Sequence, residues 1–209
     1  MNLEIPSILL TEDEDATNQR ILDSARSLYI EFGLRRTTME DVAKRAGMGR
    51  ATLYRRFSEK DQLFKAVILR DLQRHIVIIE KEIAQVPSAL DGLLEAFIRF
   101  SMLVHSNELL QRLLKSEPDH VLPYLTTDFE IIMTFACQYL SMQIDRGQQL
   151  GHIRQVPLLM LSEMIMRLTQ SLMLSPKGVI YPGDEASLRT FTETYLRPFL
   201  TPYRRPHAT

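Results

Sequence analysis

Apolar residues recur with the period of an α-helix along almost the whole chain, and this periodicity limits the fold more than any other feature. The first segment shows the pattern, since Ile21, Ala25, Leu28 and Phe32 fall on one helical face. Gly33 follows directly, where a helix end favours glycine. No segment shows the sustained alternation of a strand, and no Asn-Gly hairpin signal occurs. The sequence therefore predicts an all-α protein.

About nine helices are predicted from this period and from the glycine and proline residues near their ends. Thr38 and Asp41 have the spacing of a capping box at the second helix, and Ser58 with Asp61 is predicted to cap the fourth. The predicted helices lie at about residues 21–32, 38–47, 50–57, 58–86, 88–105, 107–115, 122–147, 157–175 and 184–199.

Composition is that of an ordinary globular protein, with 209 residues, 45% hydrophobic and 24% charged. This length suits one domain, or a small domain fused to a medium one. The single cysteine, Cys137, excludes an internal disulfide framework and a cysteine-based zinc site. The start lacks a basic n-region, and the longest charge-free stretch, residues 131–144, is 14 residues. We therefore expect a soluble, cytoplasmic protein.

The net charge of −1 hides a segregation of charge along the chain. Residues 1–16 carry five acids and no base, whereas residues 17–60 carry ten bases against five acids. The remainder is close to neutral, with 15 bases and 16 acids. A compact basic module indicates a nucleic-acid reader, although a solvated charged face is the alternative when charge is considered alone.

The second and third predicted helices have the pattern of a helix-turn-helix. A short helix is followed by Gly47 and by a second short helix with an outward basic face. In this motif the second helix enters the major groove of DNA. The inward residues Leu53, Phe57, Val42 and Phe32 are expected to form the core.

Residues 37–61, TTMEDVAKRAGMGRATLYRRFSEKD, resemble the DNA-binding domain of TetR/AcrR-type transcriptional regulators, and the resemblance spans about residues 17–65. Three positions depart from the family pattern. Gly49 stands where serine or threonine usually caps the recognition helix, Ala51 replaces a frequent glycine, and Arg56 replaces a frequent histidine or tyrosine. The last two alter the reading surface, so the target sequence does not follow from relatives.

The resemblance implies three parts of the chain: an acidic, disordered tail at 1–16, a helix-turn-helix domain at 17–65, and an effector-binding and dimerisation domain at 66–209. It implies a homodimeric repressor that binds an inverted-repeat operator in double-stranded DNA and is released by a small molecule. An activator of the same family is the alternative, because the residues that read DNA are the same. No cofactor and no metal are expected.

The residues expected to contact DNA lie around the first turn of the second helix, along the third helix and at the start of the fourth. For the arginines, guanine recognition competes with a phosphate contact alone. Tyr54 and Lys60 are expected to bind phosphates, with core packing as the alternative for Tyr54 and a pure N-cap as the alternative for Thr38. Arg35 and Arg36 are expected to reach the DNA backbone or the minor groove, with a solvated basic turn as the alternative. The full predicted set is Arg36, Thr37, Thr38, Gly49, Arg50, Ala51, Thr52, Tyr54, Arg55, Arg56 and Lys60.

The segment at residues 157–175 is apolar over most of its circumference, and residues 184–199 add further apolar side chains. These last two predicted helices must be buried in the core or against a partner. The resemblance implies that they pair across a homodimer. Seven of the ten methionines lie in the part after residue 65, and this favours a largely apolar or amphipathic effector, although methionine-rich helices also form plain cores. Residues proposed for the effector pocket are Met102, His105, Phe135, Gln138, Arg167 and Gln170.

Two other classes of function are weighed against this hypothesis. An enzyme is not expected, because the five histidines lack His-Glu-x-x-His spacing and no glycine-rich phosphate loop occurs. A helical protein-interaction module would explain the amphipathic helices. It would not explain three arginines clustered behind a glycine turn.

Overall fold

The computed structural model describes residues 16–203, and all regular structure in that range is helical. This confirms the all-α prediction. Of the predicted acidic tail, residues 1–15 lie outside the described residues, and residue 16 begins the first helix. The helices are α1 (Ala16–Phe32), α2 (Met39–Arg45), α3 (Arg50–Arg56), α4 (Lys60–Ile83), α5 (Ala89–His105), α6 (Glu108–Ser116), α7 (Pro118–Leu125), α8 (Glu130–Gln149), α9 (Leu158–Leu174), α10 (Glu185–Phe191) and α11 (Arg197–Leu200).

Residues 16–77 and 107–129 form one compact unit. Helix α1 contacts both α2 and α6, and α2 contacts α3. Three aromatic rings pack edge to face within the unit. The ring centroids of Tyr29 and Phe64 are 5.6 Å apart, and those of Phe64 and Tyr124 are 4.8 Å apart. Helices α6 and α7 therefore belong to the same unit as the helix-turn-helix. Residues 17–65 are predicted to bind DNA and residues 66–209 to bind an effector. This division of function stays a prediction.

A buried carboxylate joins three helices of this unit. Asp71 of α4 is largely buried, and its two carboxylate oxygens accept a bifurcated hydrogen bond from the Arg26 Nε–H of α1, at 2.9 and 3.1 Å. It also accepts a hydrogen bond at 3.3 Å from the Asn107 amide, whose oxygen caps the N-terminus of α6 at Leu110. The pairing satisfies a charge that would be costly to bury alone.

Residues 78–106 and 130–203 form the second compact unit. Its core is built from α5, α8, α9 and the C-terminal helices, with Ile98, Ile144 and Leu188 almost fully buried. The link before α9 is fixed to the end of α11, because the Arg154 N–H donates to the Leu200 carbonyl at 2.9 Å. Helix α4 contributes its C-terminal residues 78–83 to this unit.

Three predictions about the helices were wrong in detail. The helix predicted at 122–147 starts at Glu130, because Pro118 instead begins a separate helix, α7, which ends at Leu125. The predicted Ser58–Asp61 cap does not form: Ser58 bonds to Gln62, and Asp61 pairs with Lys65 at 2.9 Å. The helix predicted at 184–199 contains a π-helical segment, Thr192–Leu196, between α10 and α11.

Phe32 does not lie in the core as predicted, since 45% of its surface is exposed. It is the last residue of α1, and its ring lies under the Arg45 guanidinium at 6.0 Å. The helical period alone placed it on the buried face, but α2 covers this end of α1 with a charged side chain rather than an apolar one. The other predicted core residues, Val42, Leu53 and Phe57, are buried.

Candidate nucleic-acid interface

Helices α2 and α3 are joined by a tight turn that depends on glycine. Gly47 has φ +67°, in the left-handed region that glycine adopts without strain. Two backbone hydrogen bonds close the turn, from the Gly47 N–H to the Lys44 carbonyl at 3.2 Å and from the Met48 N–H to the Ala43 carbonyl at 3.0 Å. Two short helices around this turn give the predicted helix-turn-helix arrangement.

The N-terminus of α2 is fixed by a capping box. The Thr38 hydroxyl accepts a hydrogen bond from the Asp41 N–H at 3.1 Å, and the Asp41 carboxylate accepts one from the Thr38 N–H at 3.0 Å. Hydrogen bonds from Thr38 hold the pKa of the Asp41 carboxyl below its usual value. This confirms the capping box predicted from the spacing of the two residues.

Helix α3 turns one polar face outward and one apolar face inward. Leu53 is completely buried and anchors the helix. The exposed residues Arg50, Ala51, Tyr54 and Arg55 lie at spacings that share one helical face. At the N-cap, nothing lies within 4 Å of the position that a Cβ on Gly49 would take. Helix α3 therefore presents an exposed face to solvent, and the major groove of DNA is wide enough to admit one α-helix.

The basic side chains at this surface differ in their ion-pair partners. Arg50 lies 3.6 Å from a carboxylate oxygen of Glu40. Within residues 16–203, the structure records no ion pair for Arg35, Arg36 or Arg55. These three guanidinium groups are exposed and keep their charge available for a polyanion.

Three residues predicted to contact DNA have partners inside the unit. The Thr37 hydroxyl is buried and donates to the Gly33 carbonyl at 2.8 Å. Arg56 is half-buried and donates to the Asn18 side chain at 2.8 Å. The Lys60 ammonium, at the start of α4, donates to the backbone carbonyls at 34, 35 and 37, at 3.1, 3.4 and 3.2 Å. Their contacts with DNA stay predictions. In this structure Arg56 joins α3 to α1, and Thr37 and Lys60 bind the backbone between α1 and α2. Thr52, the remaining member of the predicted set on α3, is half-buried.

Three further side chains hold the helix-turn-helix without any signal in the local sequence. Arg20 of α1 donates to the Ala46 carbonyl beside the glycine turn. Asn18 accepts from Arg56, and Glu117 accepts a hydrogen bond from the Arg35 N–H at 2.7 Å. These partners are 26, 38 and 82 residues apart in sequence, so no local pattern predicts the contacts.

Of the six residues proposed for the effector pocket, Gln138 and Arg167 are exposed. Met102, His105 and Gln170 are half-buried, and Phe135 is buried. Arg167 pairs on the surface with Glu163 at 2.5 Å. The His105 ring meets the edge of Tyr181, with ring centroids 5.4 Å apart. Gln138 and Arg167 therefore face solvent in this structure, and the effector contacts of all six residues stay predictions.

Neither a metal cluster nor a membrane span occurs in the part of the chain that the structure describes. Across residues 16–203, no group of three or more histidine, cysteine, aspartate or glutamate side chains is arranged to hold a metal ion. Within the same range, every helix is too short or too polar to cross a bilayer.

Comparison with known proteins places the chain among transcriptional regulators. Residues 21–67 match the model of the bacterial regulatory proteins of the tetR family. An uncharacterised HTH-type transcriptional regulator of Mycobacterium bovis is 24% identical over 181 residues, which are 87% of this chain and 93% of that protein. An HTH-type transcriptional repressor of Mycobacterium tuberculosis is 29% identical over 111 residues, 53% of this chain and 58% of that protein.

Solved structures share the fold. The transcriptional repressor QsdR of R. erythropolis, from the TetR family, has a TM-score of 0.64 at 24% identity, covering 93% of this chain and 99% of that one. AlkX of Dietzia sp., a TetR family repressor implicated in biodegradation of n-alkanes, has a TM-score of 0.65 at 23% identity, covering 87% and 95%. The matching helix-turn-helix segment, the relatives and the shared fold together support a helix-turn-helix transcriptional regulator of the tetR type.

Proposed function

We propose that the protein is a homodimeric repressor that reads an inverted-repeat operator with α3 and is released from it by a largely apolar small molecule. The observation that carries the proposal is the outward face of α3, where Arg55 is exposed and has no ion pair within the described residues. A guanidinium in this position is able to donate two hydrogen bonds to guanine O6 and N7. Operator DNA lies in the cytoplasm of a bacterium, and we place the protein there.

The name of a relative supports repression over activation. A Mycobacterium tuberculosis protein that matches about half of this chain is called a transcriptional repressor. Two proteins with the same fold, QsdR and AlkX, are also called repressors. A repressor needs only to occupy its operator, and the exposed basic residues of α3 are suited to that role.

Selection from random duplex DNA at physiological salt tests this proposal, with the wild type and Arg55→Ala compared side by side. We expect the wild type to enrich an inverted repeat. Arg55→Ala is expected to relax the preference at one base pair of each half-site, losing about 1–3 kcal/mol of discrimination. Arg99→Ala, which removes the same charge from α5, is the control and should leave the selected sequence unchanged.

Two results of the selection would count against the proposal. One is a preference in Arg55→Ala identical to that of the wild type, which would leave Arg55 with phosphate contacts only. The other is no enrichment by wild-type protein that has been denatured and refolded to strip any bound inducer. The refolding step separates a protein held off DNA by its ligand from one that does not read sequence.

We also propose a second copy of the chain as the partner of α9. The start of this helix exposes Leu159 at 64% and Met160 at 73%. A shallow groove of about 450 Å³ continues along the same helix, lined by Met160, Glu163, Met164, Arg167 and Leu168. The C-terminal helices add exposed aromatic rings, including Tyr195. Apolar residues at this exposure are typical of an interface rather than of a solvated helix.

Effector release is proposed as a shift between two conformations that differ in operator affinity. Helix α4 runs without a break from Lys60 to Ile83 and contributes to both compact units, so it is the natural lever. In the second unit, Met102 and Met164 pack partly buried against the core, and Met166 and the polar Ser101 are buried. This composition favours a ligand that is largely apolar or amphipathic.

A thermal-shift screen followed by operator titration tests the effector proposal. Apolar and amphipathic compounds are expected to raise the melting temperature. The same compounds should weaken operator binding by about 5–150-fold, the range that a coupling of about 1–3 kcal/mol gives. The proposal fails if only highly charged, hydrophilic compounds stabilise the protein, or if bound compounds leave operator affinity unchanged.

A further inference from the structure

The backbone turn between α1 and α2, residues 33–37, is held by charged side chains from elsewhere in its unit. The Lys60 ammonium donates hydrogen bonds to three backbone carbonyls of the turn, at 3.1–3.4 Å. On the amide side, the Arg35 N–H donates to the Glu117 carboxylate at 2.7 Å. A hydrogen bond to an ionised acceptor is about twice as strong as a neutral one. The turn is therefore fixed from both sides.

Glu117 occupies the junction between α6 and α7, where the backbone is itself well anchored. Its N–H donates to the Leu113 carbonyl at 2.8 Å, and its carbonyl accepts from the amides of His120 and Val121 at 3.1 and 3.2 Å. Glu117 is at once the C-cap of α6 and the N-cap of α7. The carboxylate is thus presented by a rigid junction rather than by a loose loop.

Gly33 adapts the turn to this carboxylate. It has φ +88°, and a Cβ built on it would overlap the Glu117 side chain. The carboxylate therefore lies directly against the Gly33 backbone and bonds to the amide two residues on. This close approach is available only because position 33 carries no side chain.

The turn that Glu117 holds leads into the DNA-reading motif. It carries the exposed guanidinium groups of Arg35 and Arg36 and ends at Thr38, the N-cap of α2. We propose that Glu117 is a positioning residue for operator binding, which sets the α1–α2 turn so that Arg35 and Arg36 reach the phosphate backbone. This inference rests on the proposed function, because it assigns a role to Glu117 in the same DNA contact.

The direction in which operator affinity changes distinguishes a positioning role of Glu117 from a purely electrostatic one. Glu117 is a negative charge in the unit that binds DNA, so removing it should strengthen DNA binding if charge alone matters. If the carboxylate positions the turn, its removal should weaken operator binding instead. Glutamine keeps an acceptor oxygen at the same reach, and it should preserve part of the effect that alanine removes.

The test measures operator and random-duplex affinity of the full-length protein as a function of salt, for wild type, Glu117→Ala and Glu117→Gln. Glu108→Ala and Glu108→Gln are matched controls, since Glu108 is an exposed acid at the other end of α6. We expect Glu117→Ala to bind the operator about 10-fold more weakly, with Glu117→Gln in between. Binding of random duplex should weaken by a similar factor, because contacts with phosphates do not depend on base sequence. The salt slope should fall by about 0.9 for each DNA phosphate that the variant no longer neutralises.

Ethylation interference locates the change. In Glu117→Ala the interference should disappear at the phosphates nearest the α1–α2 turn and persist along the α3 footprint. The proposal is overturned if both Glu117 variants bind the operator as tightly as the Glu108 controls, or if their affinity falls with an unchanged salt slope and interference pattern. If Glu117→Ala does not fold, the salt slope of Glu117→Gln decides between these outcomes. A wild type that binds no DNA sequence would instead refute the proposed function.

Discussion

Replacing Leu159 and Met160 together by aspartate is expected to convert the protein to a monomer and to reduce operator affinity by roughly 10²–10⁴-fold. That range is the typical gain when two binding modules are joined on adjacent sites. The two side chains are exposed at the start of α9, and charges placed there would have to be buried if a second copy packs against this face. Sedimentation velocity gives the oligomeric state, and fluorescence anisotropy gives the affinity for full and half operators.

Val179→Asp is the control for the double variant. Val179 is 97% exposed and lies in the segment after α9, outside both of the helices proposed for the interface. This control should remain dimeric and bind the operator as the wild type does. A double variant that remains dimeric would place the interface elsewhere. A monomer that keeps full operator affinity would show that dimerisation does not supply the second half-site contact.

Asp71→Ala is expected to destabilise the folded protein by about 3 kcal/mol, the lower end of the range for breaking a buried ion pair. The substitution leaves the Arg26 guanidinium and the Asn107 amide without their acceptor, as both donate to this carboxylate. Part of Arg26 reaches solvent, with 27% of its side chain exposed, and this keeps the cost near the lower end. For a chain of this length, about 3 kcal/mol corresponds to a fall of about 6–12 °C in melting temperature.

Two other variants serve as comparisons for Asp71→Ala. Asp71→Asn keeps an acceptor oxygen and should cost less than alanine. Glu31→Ala breaks the exposed pair with Arg45 in the same unit and should change stability by less than about 1 kcal/mol. Calorimetry of the three variants checks the order. Equal destabilisation by Asp71→Ala and Glu31→Ala would mean that burial of the Asp71 pair contributes nothing.

Local patterns predicted the helix-turn-helix well, because its information is local. Thr38 and Asp41 are three residues apart and form the capping box, and Gly47 takes the left-handed conformation that its turn requires. Leu53 and Arg55 fall on opposite faces of α3, as the period demands. Each of these features depends on residues within one or two helical turns.

The contacts that hold this motif in place depend on residues far away in sequence and were not predicted. The partners of Glu117 and Asn107 lie 82 and 36 residues away, and periodicity carries no information at that range. Phe32 illustrates the same limit, since its exposure depends on which residue of α2 covers it. The break before α8, at residues 126–129, was missed because it contains neither glycine nor proline.

The assignment of α3 to the major groove is the central claim, and dimethyl sulfate interference on the selected operator tests it most directly. The reagent methylates guanine N7, which lies in the major groove and is an acceptor for arginine. We predict interference at guanines in both half-sites, about one helical turn or more apart, and its disappearance at one guanine per half-site in Arg55→Ala. Wild-type binding that is insensitive to N7 methylation in both half-sites would contradict the account.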